Sequence, residues 1–355
     1  MKKQTLNTGC ENYNALDLAK FIFAFMIVAI HIAPESSTDT TVKFILLHIV
    51  SRVAVPFYFA CSGFFFIKKL SFSNGKITNS GENRKKLLIY CKRLALLYVL
   101  WSALYLLWQI PQWHQAGILT PHMFLDFFIS FFLDGSYYHL WYLLATLFAI
   151  PALYLFLSVV KFKFLAAAGI CLYLIGVFSY SYGWIDLPAI AAVGRIAGFM
   201  RIFGIALFRA FPFVAVGILT EKYHIHLRTR TSALLALLCL ALCAAEAFLL
   251  KSFTENQTNF SYLFFTLPTA FFVFHTLKGC KIGQRRNMPY RTLRQMSTFI
   301  YCVHPLVLNL LGLILDCQRY SITAYFIVAV GSALLGLLII RLSRKKRLSG
   351  LKYFY

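Results

Sequence analysis

Ten mostly apolar residues separate Lys20 from His31. On a helix rising 1.5 Å per residue, that spacing sets the two basic groups about 16 Å apart, roughly half the thickness of a bilayer core. An ionisable side chain at such depth costs free energy and marks a functional site by default. An imidazole there can accept a proton from a hydroxyl, and a nearby cation can stabilise the negative charge that results. Four more polar groups stand inside apolar runs. Arg52 precedes Val55-Pro56-Phe57 and Ser62-Gly63; it is either a snorkelling interfacial arginine or part of a pocket wall that the kinking proline and the small Ser-Gly pair open up. His139 leads into Leu140-Trp141-Tyr142, where an aromatic belt accounts for part of the composition. Arg209 lies two turns past Arg201, so it either pairs with an acid or faces a wet cavity, and the acids available within spans are chiefly Asp17 and Glu246. His304, followed by Pro305, is either a pocket residue or a hydrogen-bonded structural histidine.

The elements that hold these residues must be membrane helices. Hydrophobic residues make up 60% of the 355-residue chain and charged residues 13%, about half the charge of a soluble domain. The net charge of +23 is not a nucleic-acid signature. Lys and Arg fall in short loops between apolar runs, and no basic stripe interleaved with aromatics appears. The nine cysteines are scattered, mostly in apolar segments, with no paired Cys-x-x-Cys, so neither zinc nor a disulfide framework is expected, and no metal site is expected at all. No small-residue cleavage site follows the first apolar segment, which reads as a retained helix.

Ten spans can be drawn, near 16–34, 44–67, 87–108, 139–159, 164–182, 200–220, 232–250, 260–277, 295–315 and 322–341. With the N-terminus inside, the inner segments hold 25 Lys/Arg and the outer loops 4, which predicts both termini in the cytoplasm. The expected class is therefore all-α, a polytopic bundle of about ten transmembrane helices forming one domain over 1–355, with no internal repeat. Between the third and fourth spans, 121–138 reads as an interfacial or half-inserted helix, its phenylalanines interrupted by Asp126 and Asp134. The inner loop 68–86 and Lys92-Arg93 beyond it are basic; topology explains most of that, and docking of a phosphorylated cytosolic ligand is the alternative.

Taken in order, Lys20-x10-His31, Arg52 with Val55-Pro56-Phe57 and Ser62-Gly63, His139-Leu140-Trp141-Tyr142, Phe211-Pro212-x4-Gly217 and Tyr301-x2-His304-Pro305 resemble the integral-membrane acyltransferase family 3, over roughly residues 14–340. Its short O-acetyltransferase branch fits best. The resemblance implies transfer of an acyl group, acetyl from acetyl-CoA, to a hydroxyl of a cell-envelope glycan or lipid-linked sugar in the bacterial cytoplasmic membrane. It makes His31 the catalytic base and Lys20 a charge at the donor end, and sets Arg52, His139 and Trp141 near the site. Ser62, Tyr142, Arg201, Arg209 and His304 are expected to line the substrate pocket, and Lys92 and Arg93 to hold the donor. Where the family commonly has Arg-x-x-Arg before the third span, this chain has Tyr90-x-x-Arg93. The chain also resembles the membrane domain of serine racemases linked to vancomycin resistance, where the implied task is moving serine across the bilayer.

Overall fold

The computed structural model describes residues 13–32, 41–200, 203–253, 260, 262–282 and 289–355. It is a helical bundle. Among the described residues, seven helices are long and apolar enough to cross a membrane: α1 (Asn14–Ile32), α2 (Thr41–Ile67), α3 (Gly81–Gln115), α5 (Trp141–Val159), α6 (Phe162–Tyr180), α9 (Thr229–Phe253) and α12 (Ser321–Leu342). The protein is a multi-pass membrane protein. Helices also occupy the remaining apolar segments. A wide π turn, Ile205–Ala210, runs into α8 (Phe211–Lys222); α10 covers Thr266–Gly279 and α11 covers Tyr290–Gly312.

Two short apolar helices lie outside this set. The segment expected to be interfacial forms α4 (Pro121–Leu133), which buries none of its residues. The 183–199 segment, read as a plain outer loop, contains α7 (Pro188–Phe199), begun by a proline whose missing N–H costs nothing at a helix start. The basic loop 68–86 also has structure. Phe72–Ser73 (β1) and Lys76–Ile77 (β2) pair antiparallel around Asn74-Gly75, whose φ values of 50° and 73° suit a tight hairpin turn. Asn83, fully buried, donates through Nδ2 to the carbonyls of Ser71 and Thr78 and fastens the hairpin to α3.

Two contacts set the frame. α2 packs along α8, and α1 packs along α11. The first is backbone against backbone: a Cβ on Gly63 would sit on the Val214 carbonyl oxygen, and one on Gly217 on the Ala60 carbonyl oxygen. Gly217→Ala is therefore expected to destabilise the fold by about 1–3 kcal/mol or more, because both neighbours are main chain and cannot move aside. Its thermal midpoint in detergent checks this, and a midpoint equal to wild type would refute the packing argument. Glu246, one of the acids considered for Arg209, instead accepts from the N–H groups of Phe264 and Phe265 and from the Tyr182 hydroxyl. It anchors the start of α10, and Glu246→Ala should lower the same midpoint by leaving buried donors unmet.

Candidate active site

Three histidines distant in sequence meet at one end of the bundle. His31 is in the last turn of α1, His139 just precedes α5, and His304 is two-thirds along α11. The His31 and His304 rings stack with centroids 5.3 Å apart at 26°, and His139 meets His304 edge-on, also at 5.3 Å. His139 and His304 are almost wholly buried. His304 Nδ1 bonds the Ile300 carbonyl at 3.1 Å, and His139 Nε2 bonds the Cys302 carbonyl at 3.2 Å. Their other nitrogens, His304 Nε2 and His139 Nδ1, have no hydrogen-bond partner among the described residues. Buried polar atoms are seldom left so without a purpose. Tyr301 donates its hydroxyl to the His139 carbonyl and fixes that turn. Arg52 is near enough to His31 to act on it electrostatically.

Beneath this cluster lies a cavity of about 1110 Å³, above the usual 300–1,000 Å³ of a small-molecule site. Its far wall includes Ile27, Val55, Tyr142 and Tyr301. Each is a single turn, three or four residues, from a polar group of the cluster: Ile27 from His31, Val55 from Arg52, Tyr142 from His139, Tyr301 from His304. On α1, α2 and α11 residues so spaced share a face, and His139 reaches Tyr142 from the turn just before α5, so four elements lead from the cavity to the cluster. The mouth is basic, lined by Lys69, Lys86, Arg93, Arg291, Arg344 and Lys352. On α3 the lining residues Lys86, Tyr90, Arg93 and Leu97 form one stripe, which Lys92 is off.

The tail closes the mouth on one side. Lys346–Phe354 forms 3-10 turns, Trp101 Nε1 donates to the Phe354 carbonyl at 3.2 Å, and Tyr355 bonds Ser343 at 2.7 Å. This brings Lys352, Tyr353 and Tyr355 to the cavity wall. At the opposite end a second groove, about 360 Å³, lies between α3 and α4 and reaches Tyr138, whose ring stands 4.9 Å from His31.

Over residues 13–341 the sequence matches the acyltransferase domain family, acyltransferase 3. The chain belongs to that family. Among curated proteins it is similar to an amino-acid racemase of Enterococcus faecalis, 25% identical over 95% of this chain and 47% of that protein. It is also similar to a serine/alanine racemase of Enterococcus gallinarum, 28% identical over 82% of this chain and 40% of that protein. The chain spans about half the length of the curated relatives it matches. No solved structure matches it.

The residues expected from the acyltransferase pattern divide into groups. His31, Arg52, His139 and His304 converge. Ser62, Tyr142 and Arg93 line the cavity, and Ser62 Oγ stands 3.3 Å from the Tyr142 hydroxyl. Lys20 is not on the cavity wall. It is buried beside Asp17 at 3.8 Å and over the Phe65 ring, and Asp17 also meets Arg294 at 3.5 Å. Among the described residues Arg209 finds neither an acid nor the cavity: its guanidinium lies between the rings of Trp141 and Tyr262, each 5.0 Å away, and Nε donates to the Tyr262 hydroxyl. Trp141 is thereby engaged behind the cavity wall. Arg201 lies outside the described residues. Sequence reasoning passed over Arg291, Arg344 and Lys352 as topology charges, and passed over Tyr138. The position of Arg291 ten residues before Tyr301 on one helix is a signal that was there to read.

Proposed function

We propose that the protein is a membrane-embedded O-acyltransferase that moves an acetyl group from cytoplasmic acetyl-CoA to a hydroxyl of an envelope glycan or lipid-linked sugar, with the basic end of the bundle facing the cytoplasm. One observation carries this reading: a large cavity with a cationic mouth ends, on four separate elements, a single turn from a cluster of three imidazoles and a guanidinium. The residues present fit a CoA ester, with six cations for its phosphates and an elongated, largely apolar wall for its pantetheine arm. Acetyl-CoA supplies an activated thioester carbonyl. His31, in its neutral form, takes the proton of the acceptor hydroxyl as the new O–C bond forms. Arg52 lies where it can stabilise the oxyanion. His31 then returns the proton to the departing sulfur as the C–S bond breaks, so no proton is gained or lost. His304, stacked on His31, holds that ring, and Tyr301 holds His139. The hydrocarbon around the cluster keeps water from competing with the acceptor.

A second reading draws on the racemase relatives: the chain would be the membrane domain of a serine racemase-type protein and carry serine across the bilayer. Binding of acetyl-CoA to the purified protein in detergent separates the two. Saturable binding and acyl transfer support the transferase. Absence of binding, with serine uptake into proteoliposomes, overturns it in favour of transport.

A further inference from the structure

Where the basic cavity opens, α3 and α12 do not pack along each other. Among the described residues α3 packs along α5 and along the tail that follows α12. It meets α11 in its later turns, where Trp101 faces Phe299 edge-on at 5.7 Å and the Tyr105 hydroxyl donates to the Cys302 carbonyl at 2.7 Å. Nearer the start of α3, Lys86, Tyr90, Arg93 and Leu97 face the cavity instead. The chain fills the gap with its own last turns. Gly336 of α12 is level with Phe299, since a Cβ there would lie 3.2 Å from that ring. Ser343 comes two turns later, and by Phe354 the chain has reversed and is again beside Trp101 and Phe299. This seat is shallow. Lys346–Phe354 buries none of its residues, its helical path breaks at Leu348 (φ −112°, ψ 15°), and a Cβ on Gly350 would meet nothing. The last two residues do the holding. Phe354 bonds Trp101 through its carbonyl and meets that indole edge-on at 5.8 Å, and Tyr355 pairs with Ser343.

A segment held by two hydrogen bonds and two half-buried rings opens at a small cost in free energy. Charge works on it as well. Among the described residues no acidic side chain lines the cavity, and the seated tail adds Lys352 to a mouth that already carries Arg93, Arg291 and Arg344. Those like charges push the tail outward, whereas a polyanion held among them draws it back, so the seated tail and a phosphorylated ligand favour each other. We propose that residues 346–355 are a strap that leaves the gap between α3 and α12 to admit the donor and then closes over it, setting Lys352 against its phosphates. What passes the strap rests on the transferase reading; that the strap opens does not.

The test uses the full chain in lipid nanodiscs. Thr298→Cys places a thiol on the cavity wall, one residue before Phe299, and a water-soluble maleimide labels it at a rate followed at that residue by mass spectrometry. Phe354→Ala with Tyr355→Ala unseats the tail and should speed labelling about tenfold or more. Trp101→Phe and Tyr355→Phe each remove one hydrogen bond while keeping a ring, and each should speed it about fivefold. Cys243, buried on α9, reports any general loosening and should stay slow in every protein. The association rate of acetyl-CoA, measured in parallel by stopped flow, should rise in the same order. Unchanged labelling in the double variant, equal acceleration at Cys243, or an unchanged association rate in a double variant that binds acetyl-CoA overturns the inference. If labelling accelerates and no variant binds acetyl-CoA, the transferase reading falls and the strap stands. If acetyl-CoA binds and labelling is unchanged, the strap alone falls.

Discussion

Replacing His31 by alanine is expected to cut the turnover of acyl transfer by about 10²–10⁴-fold, the usual contribution of a positioned general base, with acetyl-CoA affinity close to wild type. The two effects separate because of where His31 lies. The cationic groups of the mouth are on Lys69, Lys86, Arg93, Arg291, Arg344 and Lys352, whereas the nearest cavity residue on α1 is Ile27, a full turn below the imidazole. Losing the ring opens space beside His304 and Tyr138 without touching the mouth. His31→Gln keeps more of that volume and should be as inactive, which distinguishes proton transfer from packing. Single-turnover measurements with a fixed acceptor give the answer. A folded His31→Ala protein with wild-type turnover would sink the assignment of the base.

The second large effect is expected at the other end. Neutralising Arg93 and Arg344 together should raise the Kd for acetyl-CoA at least about a hundredfold. Each charge-assisted hydrogen bond to a phosphate is worth roughly 1.5–3 kcal/mol, and about 1.4 kcal/mol is a decade of affinity. The two arginines reach the mouth from separate elements, α3 and the segment after α12, so their losses should add to a good approximation. The remaining affinity should also depend less on ionic strength, since fewer charges are left to screen. Lys92→Gln is the control: it neutralises a neighbouring charge on the same helix, off the cavity stripe, and should leave the Kd unchanged. Titration calorimetry at two salt concentrations measures all three proteins. Equal losses for Lys92→Gln and the double variant would mean that the binding reflects net charge and not this cavity.

Several features could be read from the chain alone because they depend on local pattern. Apolar runs of membrane length specify helices whatever surrounds them, since an unpaired backbone group in hydrocarbon is costly. The all-α class, the multi-pass character and the family-level acyltransferase pattern over 13–341 all follow from such signals. So does the suspicion attached to each buried polar residue. Asn74-Gly75 was a legible hairpin signal as well, hidden only because a basic inner loop has a sufficient topological explanation.

What each polar residue meets was a matter for tertiary structure. Arg209 is as isolated in sequence as His31, yet it ends between two aromatic rings; Lys20 meets Asp17 one turn back on its own helix, a pairing the spacing allowed, but that it also lies over the Phe65 ring was for the packing to decide. Helical periodicity names the face a side chain is on; it does not name the helix that the face will pack against. His31, His139 and His304 converge because α1 lies on α11 and the turn before α5 is tied down by Tyr301. Lys352 of the tail reaches the cavity mouth because Trp101 and Ser343 hold the last turns against α3 and α12. The sequence by itself determined which groups were placed at a cost in free energy. Only the packing of helices hundreds of residues apart, through close approaches such as Gly63 and Gly217 allow, decided which of those groups share a cavity.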